Sequence, residues 1–453
     1  MIVPRNRLLY WTMVLVLPFA AMGGIVPSSL PLCTALTALF VAVAVLDAVL
    51  AWRLLDRFGV EYPGVCRMTK DRPGSLAVRI LNPDGKPGHV RMGIPFPPEI
   101  QSEEETMEVA LPAGEAARVD WPCRASRRGL HVLEACYLEK ESPLGFWSRR
   151  RAFGCRGEIR VYPNLSAERR YLAGLFLNRG GAGTHAQRQV GKGRDFEKLR
   201  EYIPGDSFDE IHWKATAKRG RPVTKVYQIE RTQEIYVLID SSRLSARTFP
   251  FARDPRATAQ SAVQEVPILE RFIATALILC QATERQGDLF GLLTFNDQVR
   301  RFVPARNGKE HYGLCRDALY TLEPRAVTPD FGELFTFIRT RMTRRALLMI
   351  LTSLDDPTLA ESFAEKVSLI ARHHLVLVNM PCPLGVRPLF SHADGGREGD
   401  LYANLAGHLR WRGLHEWTKV LHNRGVQFSL IGHDAMSTEI VSQYLRVKQR
   451  QAL

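Results

Sequence analysis

The chain has 453 residues, 45% of them hydrophobic and 24% charged, which are the proportions of a folded protein and too apolar for a disordered one. A formal net charge of +14 suits an anionic partner such as a membrane surface, or simply a solvated exterior. Eight scattered cysteines, with no Cys-x-x-Cys spacing, offer neither a metal knuckle nor a disulfide framework and fit a reducing compartment.

The first element is apolar. Leu8 to Val26 carries no charge, and its length as a helix is roughly 28 Å. After "PSSLP", a second apolar run from Leu30 to Trp52 carries one charge, Asp47. The pair reads as a transmembrane hairpin. Arg5 and Arg7 precede it and Arg53 and Arg57 follow it, so both ends are expected in the cytoplasm of a bacterial inner membrane. A cleaved signal peptide is the weaker alternative, because "PFAAMGG" is a poor cleavage site and the second run would still anchor the chain. Asp47 lies near the cytoplasmic end, where its carboxylate is expected to reach the headgroups.

From Val60 to Asn164 short alternating runs are separated by turn signals, as in "SLAVRILNPDGKPGHVRMGIPF" and "TMEVALPAGEAARVDWPCRA". "GLHVLEACYLEK" and "EIRVYPNL" continue the series, and the spacing predicts a β-sandwich. No acid pair, histidine cluster or nucleophile elbow is visible there, so a spacer or docking module is expected.

Next comes "GRDFEKLREYIPGDSFDEIHWKATAKRGRPVTKVYQIE". Asp195 is placed to cap a helix whose Phe196, Leu199 and Ile203 share one face. Pro204-Gly205 ends it, and Asp206 is placed to cap a second short helix with Phe208, Ile211 and Trp213. Lys214, Lys218, Arg219 and Arg221 follow as an exposed cationic burst, or Arg200, Asp206 and Lys214 form an internal ion network. "VTKVYQIE" reads as a strand. "GKGRDF" lacks the Gly-Lys-Ser/Thr of a phosphate-binding loop and reads as a linker.

From Glu234 fully apolar strands alternate with amphipathic helices. The strands are "EIYVLID", "DLFGLLTF", "ALLMILTSL", "LVLVNM" and "VQFSLIG", with "VRRFVP" as an edge strand. This pattern predicts a mostly parallel sheet covered on both faces, with ligands at the carboxyl ends of its strands. The stretch from Arg243 to Pro267 is long for a strand-to-helix connection and reads as an insertion, or as disorder. His408, His415 and His422 recur at a spacing too wide to share one metal and suggest a half-buried seam. "HADGGREGD" departs from the Ca²⁺-loop pattern of an EF-hand and reads as a surface loop.

Two resemblances follow from these residues. "IDSSRLS", beginning at Ile239, resembles the Asp-x-Ser-x-Ser start of the metal-ion-dependent adhesion site in von Willebrand factor A domains, and "GDLFGLLTF" resembles their second strand. That likeness implies a Mg²⁺ site from Asp240, Ser242 and Thr328. It is incomplete: Leu244 stands at the third position, and Thr352-Ser353 stands where Ser-Asp is usual, with Asp355 and Asp356 displaced. The segment before the sheet resembles the signature of the bacterial family called domain of unknown function 58. Its pattern is matched by Gly191, Gly193, Asp195, Phe196, Leu199, Arg200, Tyr202, Pro204, Gly205, Asp206, Ile211, Trp213 and Lys214, with Glu210 where a basic residue is common. "SPLGFWSRRR" resembles an upstream element of the same family.

The expected architecture is therefore multidomain: a transmembrane hairpin (1–58), a β-sandwich-like domain (59–165), a signature segment (166–233) and a von Willebrand factor A-like α/β domain (234–453). The family resemblance implies a membrane-anchored, non-enzymatic adaptor or assembly factor working with a MoxR-type AAA+ ATPase and a client protein. The alternatives are a metal-dependent hydrolase using Asp240 with Asp355 or Asp356, and a purely structural cell-envelope protein. Nucleic acid is not expected as a partner, because the cations are dispersed and lack an aromatic stacking motif. No nucleophile, base and oxyanion donor can be assembled from the sequence, which favours the adaptor.

Overall fold

A computed structural model describes residues 1–82, 87–112, 116–166, 168–170, 173–174, 190–204, 207–228, 233–251, 264–389 and 398–450. The chain divides into two compact units, Met1–Asn164 and Leu165–Leu453.

In the first unit, a short strand β1 (Ile2–Pro4) leads into α1 (Asn6–Ile25), and a single turn passes the chain to α2 (Leu30–Ala51). The helices have 20 and 22 residues, enough to cross the ~30 Å hydrocarbon layer. Leu39, Leu46 and Val49 are exposed along α2, a surface suited to lipid. The chain is membrane-anchored by this hairpin.

The rest of this unit is a sandwich. Its strands are β2 (Gly59–Glu61), β3 (Val65–Thr69), β4 (Pro73–Leu81), β5 (Gly88–Gly93), β6 (Ile100–Gln101), β7 (Met107–Leu111), β8 (Ala117–Ala125), β9 (Gly129–Glu141) and β10 (Trp147–Tyr162). One sheet runs β1-β10-β9-β5-β7 with β3 beside β10, and the other runs β2-β4-β8-β6. Alternate residues point inward. Leu76, Val78, Ile80 and Trp121 from the second sheet share one core with Met92, Leu138 and Ile159 from the first. The buried Trp121 donates its Nε1–H to Ser102 Oγ at 2.8 Å, which satisfies its one polar atom.

The second unit contains a two-stranded ribbon. β11 (Val190–Glu201) pairs antiparallel with β12 (Val223–Gln228). The helix expected to start at Asp195 is therefore a strand. Its apolar pattern covers too few residues to sustain an isolated helix, and β12 offers a partner ladder from Asp195 to Glu201. The second expected helix is also displaced. Phe208–Glu210 forms one 3₁₀ turn, and α3 (Trp213–Arg219) starts after His212, whose Nδ1 accepts from the Ala215 N–H at 3.0 Å. Gly205 and Asp206 lie outside the described residues, as do the side chains of Gly191 to Phe196.

The main sheet runs β17-β16-β13-β18-β19-β20. Here β13 is Glu234–Asp240, β16 Leu289–Phe295, β17 Val299–Arg306, β18 Leu347–Leu351, β19 Leu375–Pro381 and β20 Val426–Ile431; β14 (Thr248–Phe251) and β15 (Gln264–Pro267) form a separate hairpin. All main-sheet pairings are parallel except β16 with the edge strand β17. α4 (Ile268–Gln286), α5 (Lys309–Leu319) and α9 (Met436–Gln449) cover one face; α6 (Phe331–Arg341), α7 (Pro357–Ala371) and α8 (Glu398–Asn423) cover the other. Burial on both faces explains why β18 is apolar at every position. Gly291 on β16 packs against the Tyr236 ring, and any side chain there would overlap it.

The long stretch after β13 is partly ordered. A 3₁₀ turn at Arg243–Ala246 precedes the β14–β15 hairpin, and 252–263 lie outside the described residues. On α8, His408 is half-buried and accepts from the Leu389 N–H at 3.1 Å, whereas His415 and His422 are exposed, so the histidines do not form one seam. Residues 392–397 of the expected surface loop lie outside the described residues, and Glu398 already begins α8.

Candidate functional site

A doubly wound sheet of this order has its switch point beside the central strand, where successive connections leave in opposite directions. Here that strand is β13, flanked by β16 and β18, and it ends in Asp240. The structure brings three loops together at this edge. Ser241 donates both its N–H and its hydroxyl to Phe295 O, at 2.8 and 2.9 Å. The Arg325 N–H donates to Ser241 O at 2.8 Å, and the Arg243 N–H donates to Val327 O at 3.0 Å. The loop carrying Thr328 is thereby stitched to the loop carrying Ser242, and Thr328 itself is exposed.

Asp240 is only 1% exposed. Its Oδ1 accepts from the Ser242 N–H at 2.8 Å, and its Oδ2 accepts from the Thr352 hydroxyl at 2.6 Å. Ser242 is also buried; its hydroxyl oxygen accepts from the Leu244 N–H at 3.3 Å, and its carbonyl accepts from the Ser245 hydroxyl at 2.8 Å. Burial pushes the Asp240 carboxyl above its ordinary range, against the opposing pull of the Thr352 and Ser242 hydrogen bonds.

The displaced acids are occupied elsewhere. Asp355 accepts from the Ser353 hydroxyl at 2.8 Å and pairs with Arg247. Asp356 caps α7 through the Thr358 N–H at 3.0 Å, with Arg243 at 3.9 Å. A magnesium ion needs several hard oxygens in near-octahedral array and rarely sheds all its water. The donor set here does not fit it. Asp240 supplies a single carboxylate, buried and already hydrogen-bonded at both oxygens. The next carboxylate faces a guanidinium. Among the described residues there is no group of three or more acids, histidines or cysteines placed to hold a metal.

Two features of this edge escaped the sequence. Arg247 meets Asp355 across 108 residues, a pairing that no local pattern announces. Asn379 on β19 is fully buried, and its amide lacks a partner among the described residues, although its backbone carbonyl accepts from the Thr352 N–H at 3.3 Å. Sequence shows only an Asn near the end of an apolar strand, where burial is not readable.

The fold defines a von Willebrand factor A-like α/β domain. Residues 198–383 match the family model described as "Protein of unknown function DUF58", so the expected family is borne out over this segment. No curated protein matches the sequence. Among solved structures, the chain is similar to the hypothetical protein BatB from Bacteroides thetaiotaomicron, at 13% identity over 48% of this chain and 99% of that one, with a TM-score of 0.28. It is also similar to an aerotolerance-related membrane protein from Bacteroides fragilis, at 14% identity over 47% and 98%, with a TM-score of 0.26. A third likeness is to the SpRpn10 VWA domain, at 9% identity over 47% and 95%, with a TM-score of 0.26.

Proposed function

We propose that this membrane-anchored protein is a non-enzymatic adaptor at the cytoplasmic face of a bacterial inner membrane, and that it binds a MoxR-type AAA+ ATPase. One observation carries the reading. The signature segment exposes Ile203, Phe208 and Trp213 at 57%, 74% and 68%, beside the exposed cations Lys214, Lys218, Arg219 and Arg221. Large aromatics with arginine are what binding hot spots are made of, and exposing them without a partner costs solubility. Arg221 pairs with Glu201, and the neighbouring Lys214, Lys218 and Arg219 select an acidic partner surface. The strand-end edge supports the same reading, because Asp240 is tied up internally and its hydroxyl neighbours hold the loop. Any contact there would fall on the exposed Thr328 and Arg325.

The test is a pull-down from detergent-solubilised native membranes, with and without ATP, read by mass spectrometry. A nucleotide-sensitive AAA+ ATPase is the expected partner. Trp213→Ala is expected to weaken its capture by about 30-fold, the loss of an anchor worth ~2 kcal/mol. Recovery of no such partner after crosslinking overturns the adaptor reading. Capture that survives Trp213→Ala but falls with Thr328→Arg moves the contact to the strand-end edge.

The state of Asp240 gives a separate prediction. Its folded pKa is raised, so the folded state holds its proton more tightly than the unfolded state does. The related stability is present below the ordinary carboxylate range and is lost as pH rises through the folded pKa. Asp240→Asn is neutral at every pH, and its amide can donate to Thr352. At pH 7.5 the Asn variant is expected to melt at or above the wild-type temperature, with the gap closing toward pH 4, and Mg²⁺ is expected to leave both melts unchanged. A Mg²⁺-dependent rise in the wild-type melt that Asp240→Asn abolishes would restore the metal site.

A further inference from the structure

Asp47 does not reach for the headgroups. It is fully buried, and it accepts from the Ser142 hydroxyl at 2.6 Å, the Leu144 N–H at 3.1 Å and the Phe146 N–H at 3.3 Å. These donors form the tip between β9 and β10. The same tip touches α2 further along: Trp147 Nε1–H donates to Ala44 O at 2.8 Å, and the Phe146 ring stands 6.0 Å from that of Phe40. Asp47 lies four residues before the end of α2 at Ala51, a depth of ~6 Å along the helix, and Phe40 lies ~16 Å along it. On the side of α1, Gly145, at a φ of 74°, packs against the Arg7 guanidinium. The tip thus sits level with the cytoplasmic ends of both membrane helices.

We infer that the tip Ser142–Trp147 is itself a membrane-inserted element, seated in the outer acyl-chain layer of the bilayer beside α2, with Leu144 facing lipid. The argument is chemical. Non-helical backbone at membrane depth must find its hydrogen-bond partners within the protein, because lipid offers none. Asp47 supplies them: one carboxylate takes three of the tip's polar hydrogens, and the tip in turn solvates an acid that the apolar helix could not tolerate alone. The residues left facing outward, Pro143 and Leu144, are apolar, and Leu144 is 48% exposed. They continue the lipid-facing surface of α2. Arginine and tryptophan ring the site, as at a headgroup boundary: Arg149 lies 5.3 Å over the exposed Trp52 ring, and Arg5 pairs with Glu141. The sandwich is thereby held to the bilayer by three elements rather than by the hairpin alone.

The inference rests on the hairpin lying in lipid, and the test separates the two. Benzoylphenylalanine is placed at Leu144 in the full chain, in nanodiscs of phosphatidylethanolamine and phosphatidylglycerol, with a second site at Pro143. Leu39 on α2 is the positive control, and Arg118 on β8 the aqueous one. After irradiation, phospholipid adducts at Leu144 or Pro143 are expected within about threefold of those at Leu39 and at least tenfold above those at Arg118. Adducts at Leu39 with background levels at both tip sites overturn the inference and put the tip in water. Adducts at none of the three sites overturn it at its premise, because the hairpin is then not in lipid.

Discussion

Asp288→Ala is expected to destabilise the α/β unit by about 3–5 kcal/mol, the cost of leaving a buried ionic network without its centre. Asp288 is 1% exposed at the start of β16. It accepts from the Gln233 N–H at 3.1 Å, from Lys448 Nζ at 2.7 Å and from the Tyr444 hydroxyl. Gln233 precedes the central strand, and Tyr444 and Lys448 belong to α9. One carboxylate therefore fastens the last helix to the amino-terminal edge of the sheet. Burial, with the Asp288 carboxylate adjacent, pushes the Tyr444 phenol up, so it remains a donor at neutral pH. In the Ala variant the Tyr444 hydroxyl and the Gln233 N–H lose their acceptor, and among the described residues the Lys448 ammonium keeps only the Gln286 carbonyl at 2.8 Å. A fall of roughly 10 °C in the melting temperature follows. Tyr444→Phe removes one donor and is expected to cost only about 1–2 kcal/mol. Equal, sub-kilocalorie effects of the two substitutions would show that α9 is held by its apolar face instead.

The parts of this chain legible in the sequence are those whose signal is local. Leu347–Leu351 is apolar at every position because both faces of its strand are covered, and that run can be read without knowing its neighbours. Asp240 stands at the end of such a run and is legible for the same reason. The strand Val299–Arg306 is expected at an edge, and it pairs on one side alone, with Leu289–Phe295, among the described residues. What failed was what depends on distant partners. The stretch from Asp195 carries a weak helical period, but its structure is decided by a ladder to Val223–Gln228. The chemistry of the strand-end edge is half visible: Thr352-Ser353 shows as a departure from the usual Ser-Asp, but the Thr352 hydroxyl binding Asp240 across 112 residues does not. In the sequence Asp47 reads as an acid reaching the headgroups, because its three donors lie nearly a hundred residues on.

That last case gives a prediction whose sign decides between two physical pictures. If Asp47 simply reached the headgroups, replacing it with Ala would remove a charge from the edge of an apolar helix and leave the protein as stable or more so. With Asp47 accepting three hydrogens from the Ser142–Trp147 tip, Asp47→Ala is expected to destabilise the unit by about 3–5 kcal/mol. Each hydrogen bond to a charged acceptor is worth roughly 1.5–3 kcal/mol, and the three are not additive. The Leu144 and Phe146 N–H groups would then lie unpaired at the membrane boundary, where water is scarce and the tip has no alternative acceptor of comparable strength. Hydrogen exchange in nanodiscs reads this directly: the Leu144 and Phe146 amides should lose protection in Asp47→Ala while those of α2 keep theirs. Ser142→Ala is the matching control. It deletes the shortest of the three bonds and also the oxygen that accepts from the Trp147 N–H at 3.1 Å, but leaves the carboxylate in place. Its expected cost is about 1–2 kcal/mol, with the tip still seated. An Asp47→Ala protein with unchanged tip protection would return Asp47 to the headgroups and free the β9–β10 tip from the helix.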